Sequence, residues 1–341
     1  MSDIKYLTDH YDEKIQKILD FDAPFNFVFI TDQHNRMNEY ITTWDETKRP
    51  DEFELAKNHV ESMQYILDRV PNIQCVVSGG DVGNDYHPDP DVIRFSHKEV
   101  AEAMYKLSVP AYFCTGNHDD AIGAAFDRKR DTSKSAILPD EMHEIFMKYN
   151  TTTDKNYYYV DFEEQGYRFV FLDCLDRPYY KNDEGQYELP WRMELSRKQT
   201  EWLENTALKT EKSIIVFCHA PLHTQGIVGT EGLPDCLIKP YDDLLNSPRA
   251  YYDVKSCKNV VALIYGHVHY DNLLYDDEIL TTTTLCSLTQ KWHPTCPDRE
   301  LGTITETAFD VFSIKGNQVQ ITRFGAGNDR IGVLMRKKET E

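Results

Sequence analysis

Five short apolar runs, each followed at once by side chains that can bind metal, constrain most strongly what this chain can fold into. Short runs rich in β-branched and aromatic residues are typical of buried strands. We therefore expect the polar motifs that follow them to converge at one edge of a sheet. The runs are 27–30, 75–77, 111–114, 214–217 and 260–264, and the motifs are Asp32-Gln33-His34, Gly80-Asp81, Gly116-Asn117-His118-Asp119, Cys218-His219 and Gly266-His267-Val268-His269.

Segments with helical periodicity lie before and between the first three runs and indicate the fold class. The order strand, helix, strand, helix, strand predicts an α/β layer with parallel pairing. Further along, two pairs of strands separated by short polar turns predict hairpins, and Ser196 is placed to cap a helix. The predicted helices are 9–20, 53–69, 97–107 and 196–208, and the predicted hairpins span 156–172 and 308–324.

Four long connections follow these strands or their neighbours, at about residues 120–155, 175–195, 220–257 and 285–305. Long loops in a compact domain usually carry function or are ordered by packing. These are rich in aromatic and basic residues. They therefore either form the wall of a substrate pocket or simply cover the edge of the sheet.

Charge and composition narrow the range of partners. The formal net charge of −20 argues against binding of a long nucleic acid, which is usually met by a basic surface, and leaves a small phosphorylated substrate open. No apolar stretch approaches the ~18 residues that cross a bilayer, and the first residues do not resemble a secretory signal. Eight cysteines without a CxxC pair predict free thiols and a cytoplasmic protein.

The spacing within the motifs suits metal binding. In an extended chain, residues i and i+2 point to the same side, so Asp32 and His34, and likewise His267 and His269, could each serve one ion. Asp81 follows two glycines, and its two carboxylate oxygens could bridge two ions. Taken singly, each motif could equally be a turn, a helix cap or a surface histidine; their order and their placement at strand ends favour one site.

Asn117 and His219 add an amide oxygen and an imidazole to this set, donors that suit divalent ions of hard to borderline character. In their order and composition, the five motifs resemble D-x-H, G-D, G-N-H-[DE], H and G-H-x-H of the calcineurin-like metallophosphoesterases. The resemblance spans about residues 25 to 270 and is to phosphodiesterase-like bacterial members. It implies an α/β (α+β) fold, a four-layer sandwich of two mixed β-sheets flanked by helices, with a bimetal site at the sheet edge. We expect a single domain over residues 1–341, with a C-terminal β-hairpin region at about 300–335 packed on the same core.

The resemblance also assigns roles to individual residues. It implies two metal ions, with Mn, Fe or Zn as the expected elements. Asp81 would bridge them, His118 would be the catalytic histidine, and Asp119 would orient it. The ligands of the first ion would be Asp32, His34 and His269, and those of the second would be Asn117, His219 and His267.

The sequence leaves the roles of three further segments open. His223 either touches substrate or is a loop histidine, and Asn84 or Asp85 either supports a ligand or lies in a solvated loop. Residues 323–330 resemble a C-terminal feature of some bacterial members, and the sequence suggests no physical role for them.

The expected activity is hydrolysis of a small phosphomonoester or phosphodiester by attack of a metal-bridging hydroxide. The alternatives are a nuclease of the same chemistry and a non-catalytic metal-binding scaffold. The acidic charge disfavours the nuclease. The scaffold would be marked by missing ligands, and the sequence retains every ligand position.

Overall fold

The computed structural model describes residues 4–35, 55–149, 153–222, 247–287, 296–300 and 302–336. These residues contain twelve strands and eight α-helices. No helix among them is long and apolar enough to span a membrane. The helices are α1 Thr8–Phe21, α2 Leu55–Leu67, α3 Pro90–Met104, α4 Ile122–Asp127, α5 Thr132–Ser135, α6 Pro139–Phe146, α7 Arg197–Trp202 and α8 Ser247–Ser256.

The strands form two six-stranded mixed sheets, ordered β12-β11-β10-β1-β2-β3 and β4-β5-β6-β7-β9-β8. In the first sheet β1, β2 and β3 are parallel, and β10 pairs antiparallel with β1. In the second sheet β5, β6, β7 and β9 are parallel. The strands are β1 Phe25–Ile30, β2 Ile73–Ser78, β3 Ala111–Phe113, β4 Tyr158–Phe162, β5 Tyr167–Phe171, β6 Ser213–Cys218, β7 Val260–Tyr265, β8 Asn272–Asp276, β9 Ile279–Thr283, β10 Ala308–Lys315, β11 Gln318–Gly325 and β12 Arg330–Val333.

Aromatic side chains fill the space between the two sheets. Alternate residues of a strand share a face, so Phe27 and Phe29 of β1 point the same way, toward the second sheet. The ring centroid of Phe27 lies 4.9 Å from that of Phe169 and 4.8 Å from that of Phe312. The Phe29 ring lies 6.0 Å from that of Phe217. This packing confirms the predicted sandwich of two mixed sheets, and helices flank it.

The predicted helices and hairpins are confirmed, with two differences in the helices. Helix α3 begins seven residues before the predicted start at 97, because the Asp89 side chain accepts a hydrogen bond from the Asp91 N–H at 2.9 Å and Pro90 occupies the first turn. Ser196 caps α7 as predicted, but after Trp202 the helix continues as a π-helical turn.

The connection at 120–155 contains more structure than expected, since α4, α5 and α6 lie within it. The C-terminal hairpin extends the first sheet, because β10 pairs with β1 and β11 with β10. The seven cysteines among the described residues are free thiols, as predicted; Cys236 lies outside the described residues.

Candidate metal centre

The loops after five strands bring the predicted ligands together. Strands β1, β2 and β3 are neighbours in one sheet, and β6 and β7 are neighbours in the other, so their carboxyl ends form one edge. A hydrogen bond of 3.0 Å from the His267 N–H to Asp32 Oδ2 joins the loop after β7 to the loop after β1. The His219 carbonyl accepts a hydrogen bond from the Gly266 N–H at 3.0 Å and joins the loops after β6 and β7.

One group of potential ligands contains Asp32, His34, Asp81 and His269, all buried, with one donor atom from each within 4.8 Å of the others. His269 Nε2 lies 3.0 Å from Asp32 Oδ1. His34 Nε2 lies 3.7 Å from Asp81 Oδ2. These are the residues that the sequence assigned to the first ion, together with the proposed bridge.

A second group contains Asp81, His219 and His267 and meets the same distance criterion. His219 Nε2 lies 3.2 Å from Asp81 Oδ2 and 3.2 Å from the side-chain oxygen of Asn117. Asp81 belongs to both groups, which is the position expected of a bridging ligand. The distribution of the individual ligands between two ions stays a prediction.

The backbone at these ligands differs from the extended chain expected from the sequence. Asp32, His34, Asp81, His267 and His269 all have positive φ angles, between 42° and 66°. Non-glycine residues rarely adopt this left-handed conformation, and they cluster at active sites where the surroundings impose it. These five ligands therefore converge because the chain turns after β1, β2 and β7, and alternation along an extended strand is not the cause.

Glycines allow the loops to approach one another this closely. Gly80 has a φ of +98°, and a Cβ there would lie 2.8 Å from both the Gly116 nitrogen and His219 Nδ1. A Cβ on Gly116 would lie 2.2 Å from Asp81 Oδ1. Any larger residue at either position would clash with these atoms, which explains why the second and third motifs contain glycine there.

The charges and donors at this edge fit metal cations. Burial opposes ionisation of Asp32, but the imidazoles of His269 and His219 outweigh it and hold the pKa of Asp32 below its ordinary value. Burial lowers the pKa of His34 well below its usual range, and neutral imidazole is the form that binds metal. Among the described residues, buried His34 Nε2 has no hydrogen-bond partner. Carboxylate, amide and imidazole donors of this kind suit a dinuclear metal centre.

His118 lies beside both groups and is held by two aspartates. Its backbone N–H donates to Asp81 Oδ1 at 2.8 Å, and its Nδ1 lies 2.9 Å from Asp85 Oδ2. Burial disfavours the charged imidazole, but the carboxylates of Asp85 and Asp81 outweigh burial and raise the pKa of His118 to about 9. Asp85 is fully buried, so the structure favours a supporting role for it over a solvated loop position.

The resemblance gives the orienting role to Asp119, but in the structure the carboxylate that lies against the His118 imidazole is that of Asp85, so an orienting role for Asp85 replaces it as our proposal. Within the described residues, the Asp119 carboxylate accepts hydrogen bonds from the backbone N–H groups of Asp81, Val82 and Gly116 at 3.0, 2.8 and 2.7 Å. Its Oδ1 also lies 3.4 Å from Nε2 of buried His97. Asp119 turns inward and fixes the loops after β2 and β3 to each other.

Two aromatic rings next to His118 were not predicted individually. The ring centroid of Trp191 lies 4.7 Å from that of His118, and the ring centroid of Tyr86 lies 5.7 Å away. Trp191 belongs to the 175–195 connection, whose aromatic content was the available signal. His223, the predicted substrate contact, lies outside the described residues.

A second buried charge cluster explains the 323–330 segment. Arg323 of β11 is fully buried, and its guanidinium contacts Asp310 Oδ1 at 2.8 Å and Asp271 Oδ1 at 2.6 Å. Arg330 also pairs with Asp310. Asp271 follows His269 by two residues and accepts a hydrogen bond from the Leu285 N–H at 3.0 Å. The segment therefore fixes the end of the loop that carries His267 and His269.

Comparisons with known proteins agree on the family and the fold. A sequence model of the calcineurin-like phosphoesterase family matches residues 25–271. Among solved structures, a dimetal phosphatase from Danio rerio is similar over 93% of this chain and 100% of its own, with a TM-score of 0.60 and 16% identity. GAP50, the anchor in the inner membrane complex of Plasmodium, matches 92% of this chain and 89% of its own, with a TM-score of 0.49 and 15% identity. The phosphatase supports the fold. A search of curated protein sequences gave no match.

Proposed function

Because the chain belongs to the calcineurin-like phosphoesterase family, we propose that it hydrolyses a small phosphomonoester or phosphodiester at the centre around Asp81. The observation that carries the proposal is that Asp81 belongs to two groups of potential metal ligands, and its carboxylate also accepts the backbone N–H of His118. Free thiols at the described cysteines support our proposal of a reducing, cytoplasmic location.

We propose that the residues at the strand ends hold two cations, with Mn, Fe or Zn as the candidates. Cations in such a site act as Lewis acids: they would offset the negative charge on the phosphoryl oxygens and lower the pKa of water that they bind. Asp81 would contact both cations. The other ligands would be Asp32, His34 and His269 for one, and Asn117, His219 and His267 for the other.

His118 would act as the general acid. Its Nδ1 faces Asp85, so Nε2 is the nitrogen that can donate a proton to the departing alkoxide. The Asp81 carboxylate fixes the backbone of His118 in the same site, and Asp85 stabilises its imidazolium form. His118 and Asp81 are therefore held in fixed positions relative to each other before substrate binds.

The direct test is hydrolysis by the Mn-supplemented protein of nitrophenyl phosphate, its bis-ester and a panel of small nucleotides. We expect turnover of at least one class. For alkyl esters, His118→Ala should lower kcat by ~10²–10⁴, the usual contribution of a general acid. With nitrophenyl esters the loss should be smaller, because nitrophenolate departs without a proton.

Three results would contradict the proposal. Full activity of His118→Ala on alkyl esters would exclude the acid role, provided that elemental analysis shows unchanged metal content. Binding of two metals without turnover of any ester would favour the scaffold. Hydrolysis of single-stranded DNA at physiological salt in preference to small esters would favour the nuclease.

A pair of matched variants tests whether Asp85, and not Asp119, supports the imidazole of His118. Asp85→Asn should reproduce the leaving-group dependence of His118→Ala in weaker form, with a loss of ~10–100-fold, because the imidazole loses its charged partner. Asp119→Asn should instead reduce stability, since its carboxylate holds three backbone N–H groups. The same leaving-group dependence in Asp119→Asn would contradict the assignment.

A further inference from the structure

We propose that the substrate's leaving group carries a planar heteroaromatic ring, as in a nucleoside phosphate, and that this ring stacks against Trp191 and Tyr86. The inference rests on the proposed function, because it places the departing alcohol at His118. It goes further by naming the substrate class and the residues that select it.

Both rings contact the imidazole that would protonate the leaving group. The rings of Trp191 and His118 are inclined at 63° with centroids 4.7 Å apart. The rings of Tyr86 and His118 are inclined at 50° with centroids 5.7 Å apart. An alcohol that receives its proton from His118 would lie close to both rings, so the next part of the substrate is within reach of them.

Trp191 is held in place by an unusual local structure. Its φ is 61°, and Leu189, on the other side of Pro190, has a φ of 59°. Its indole packs directly on Gly123, where an added Cβ would lie 2.2 Å from the ring carbon Cδ2. The indole nitrogen donates a hydrogen bond to Asp127 Oδ2 at 3.1 Å. Bulky residues in the left-handed region cluster at ligand clamps, where the surroundings impose the conformation.

Tyr86 is fixed at both its ring and its backbone. The Arg128 guanidinium carbon lies 4.2 Å from the ring centroid. The Tyr86 carbonyl accepts a hydrogen bond from Arg130 Nη1 at 2.7 Å, and its N–H donates to Asn84 Oδ1 at 2.8 Å. Aromatic side chains that are ordered before binding lose little conformational entropy when a ligand packs against them.

The surroundings of these rings favour a polar ring over an acyl chain. Asp127, Arg128 and Arg130 contact Trp191 and Tyr86, and a lipid tail packed against these rings would desolvate them. A nucleobase presents a flat π face to the aromatic rings and polar edges to such charged groups. Stacking of this kind tolerates different bases, because every base has a π face.

The test uses two substrates with the same leaving hydroxyl, adenosine 5′-monophosphate and ribose 5-phosphate, each also as its methyl diester. The wild-type protein with Mn should show a higher kcat/KM for the adenosine compound. Trp191→Leu should reduce that kcat/KM by roughly tenfold or more, within the range for one base stacked on an aromatic side chain. Its effect on the ribose compound should be small.

Trp202→Leu is the matched control, because the Trp202 ring lies against Tyr157, with centroids 4.9 Å apart, and not against His118. This variant should leave the ratio of the two kcat/KM values unchanged. Equal kcat/KM values for the two wild-type substrates would overturn the inference. An equal loss on both substrates in Trp191→Leu would also overturn it.

A binding measurement separates this inference from the proposed function. We expect adenosine 5′-monophosphate to quench the tryptophan fluorescence of the Mn-loaded protein and Trp191→Leu to abolish that quenching. Quenching by Trp191 without hydrolysis of any ester would contradict the proposed function and support the ring site. Hydrolysis without quenching, together with an unchanged substrate ratio in Trp191→Leu, would contradict the ring site alone.

Discussion

Two clusters of buried carboxylates meet at the loop after β7, and they are neutralised in different ways. At the metal centre, Asp32 and Asp81 face imidazoles. Two residues beyond His269, Asp271 and its buried neighbour Asp310 face the guanidinium groups of Arg323 and Arg330. Burial opposes ionisation of Asp310, but these arginines outweigh it and hold the pKa of Asp310 below its ordinary value.

The difference shows which cluster can exchange its counter-charge for another cation. Arginine keeps its proton and offers only donors, so the second cluster is closed to metal ions. Imidazole can lose its proton and present a nitrogen lone pair, so a metal ion can replace the protons in the first cluster. The two clusters also differ in backbone conformation. Asp310 and Arg323 are cross-strand partners in regular strands, whereas Asp32 and Asp81 have left-handed φ angles.

The largest effect is expected from removal of the carboxylate shared by both ligand groups. Asp81→Ala should lose both ions and reduce activity by more than the ~100-fold that loss of an outer partner costs. Asp32→Ala is the control, because Asp32 belongs to one group only and its loss should leave the ion held by Asp81, His219 and His267. Elemental analysis after gel filtration counts the ions. Two tightly held ions in Asp81→Ala would refute the bridge.

In the arginine cluster we expect the main effect of a substitution to be a loss of stability. Arg323→Met removes the main counter-charge of fully buried Asp310 and should lower the free energy of unfolding by about 3–5 kcal/mol. Urea unfolding of the metal-free protein measures this value. Arg197→Met is the control, since the Arg197–Glu201 pair is exposed and is worth about 0.3–0.5 kcal/mol. An equally small effect in both variants would show that the buried pair does not stabilise the fold.

The convergence of the candidate ligands could be predicted from the sequence, while the partners of His118 could not. Ligands at strand ends depend on local order along the chain, and the five motifs preserve that order. The choice between Asp85 and Asp119 depends on the direction of two turns after β2 and β3, which only the packed loops define. Asp119 is adjacent to His118 in sequence, yet its side chain points to backbone N–H groups in the interior.

Trp191 and the short helices of the 120–155 connection also depend on tertiary surroundings that the sequence does not reveal. Trp191 reaches His118 because the chain is left-handed at Leu189 and Trp191, a conformation that neither residue favours by itself. The short helices α4 and α5 are stabilised by their surroundings, since four to six residues form too few turns for a clear apolar periodicity. The strands, by contrast, could be predicted from their apolar runs of β-branched and aromatic residues.

Another buried carboxylate, that of Asp173, accepts hydrogen bonds from neutral donors. Its Oδ1 accepts hydrogen bonds from the Thr115 hydroxyl and from the Leu175 N–H, the latter at 2.8 Å. Burial, together with the neighbouring Asp176 carboxylate, raises the pKa of Asp173 to about 7. Unlike Asp32 and Asp310, this carboxylate should therefore destabilise the fold when it ionises.

The sign of the pH dependence follows from proton counts. An aspartate in the unfolded chain titrates near pH ~3.9, so between about pH 4 and pH 7 the unfolded state has released a proton that folded Asp173 retains. Stability from this group therefore falls as pH rises through that window and stays low above it. Asp173→Asn cannot ionise, so relative to wild type it should gain roughly 1–3 kcal/mol between pH 4 and pH 8. Urea unfolding of both metal-free proteins at several pH values isolates the difference due to Asp173 and its coupled neighbour Asp176, because titrations that do not depend on Asp173 cancel. A difference that is constant with pH, or that shrinks as pH rises, would mean that Asp173 is ionised and compensated in the folded protein as Asp310 is.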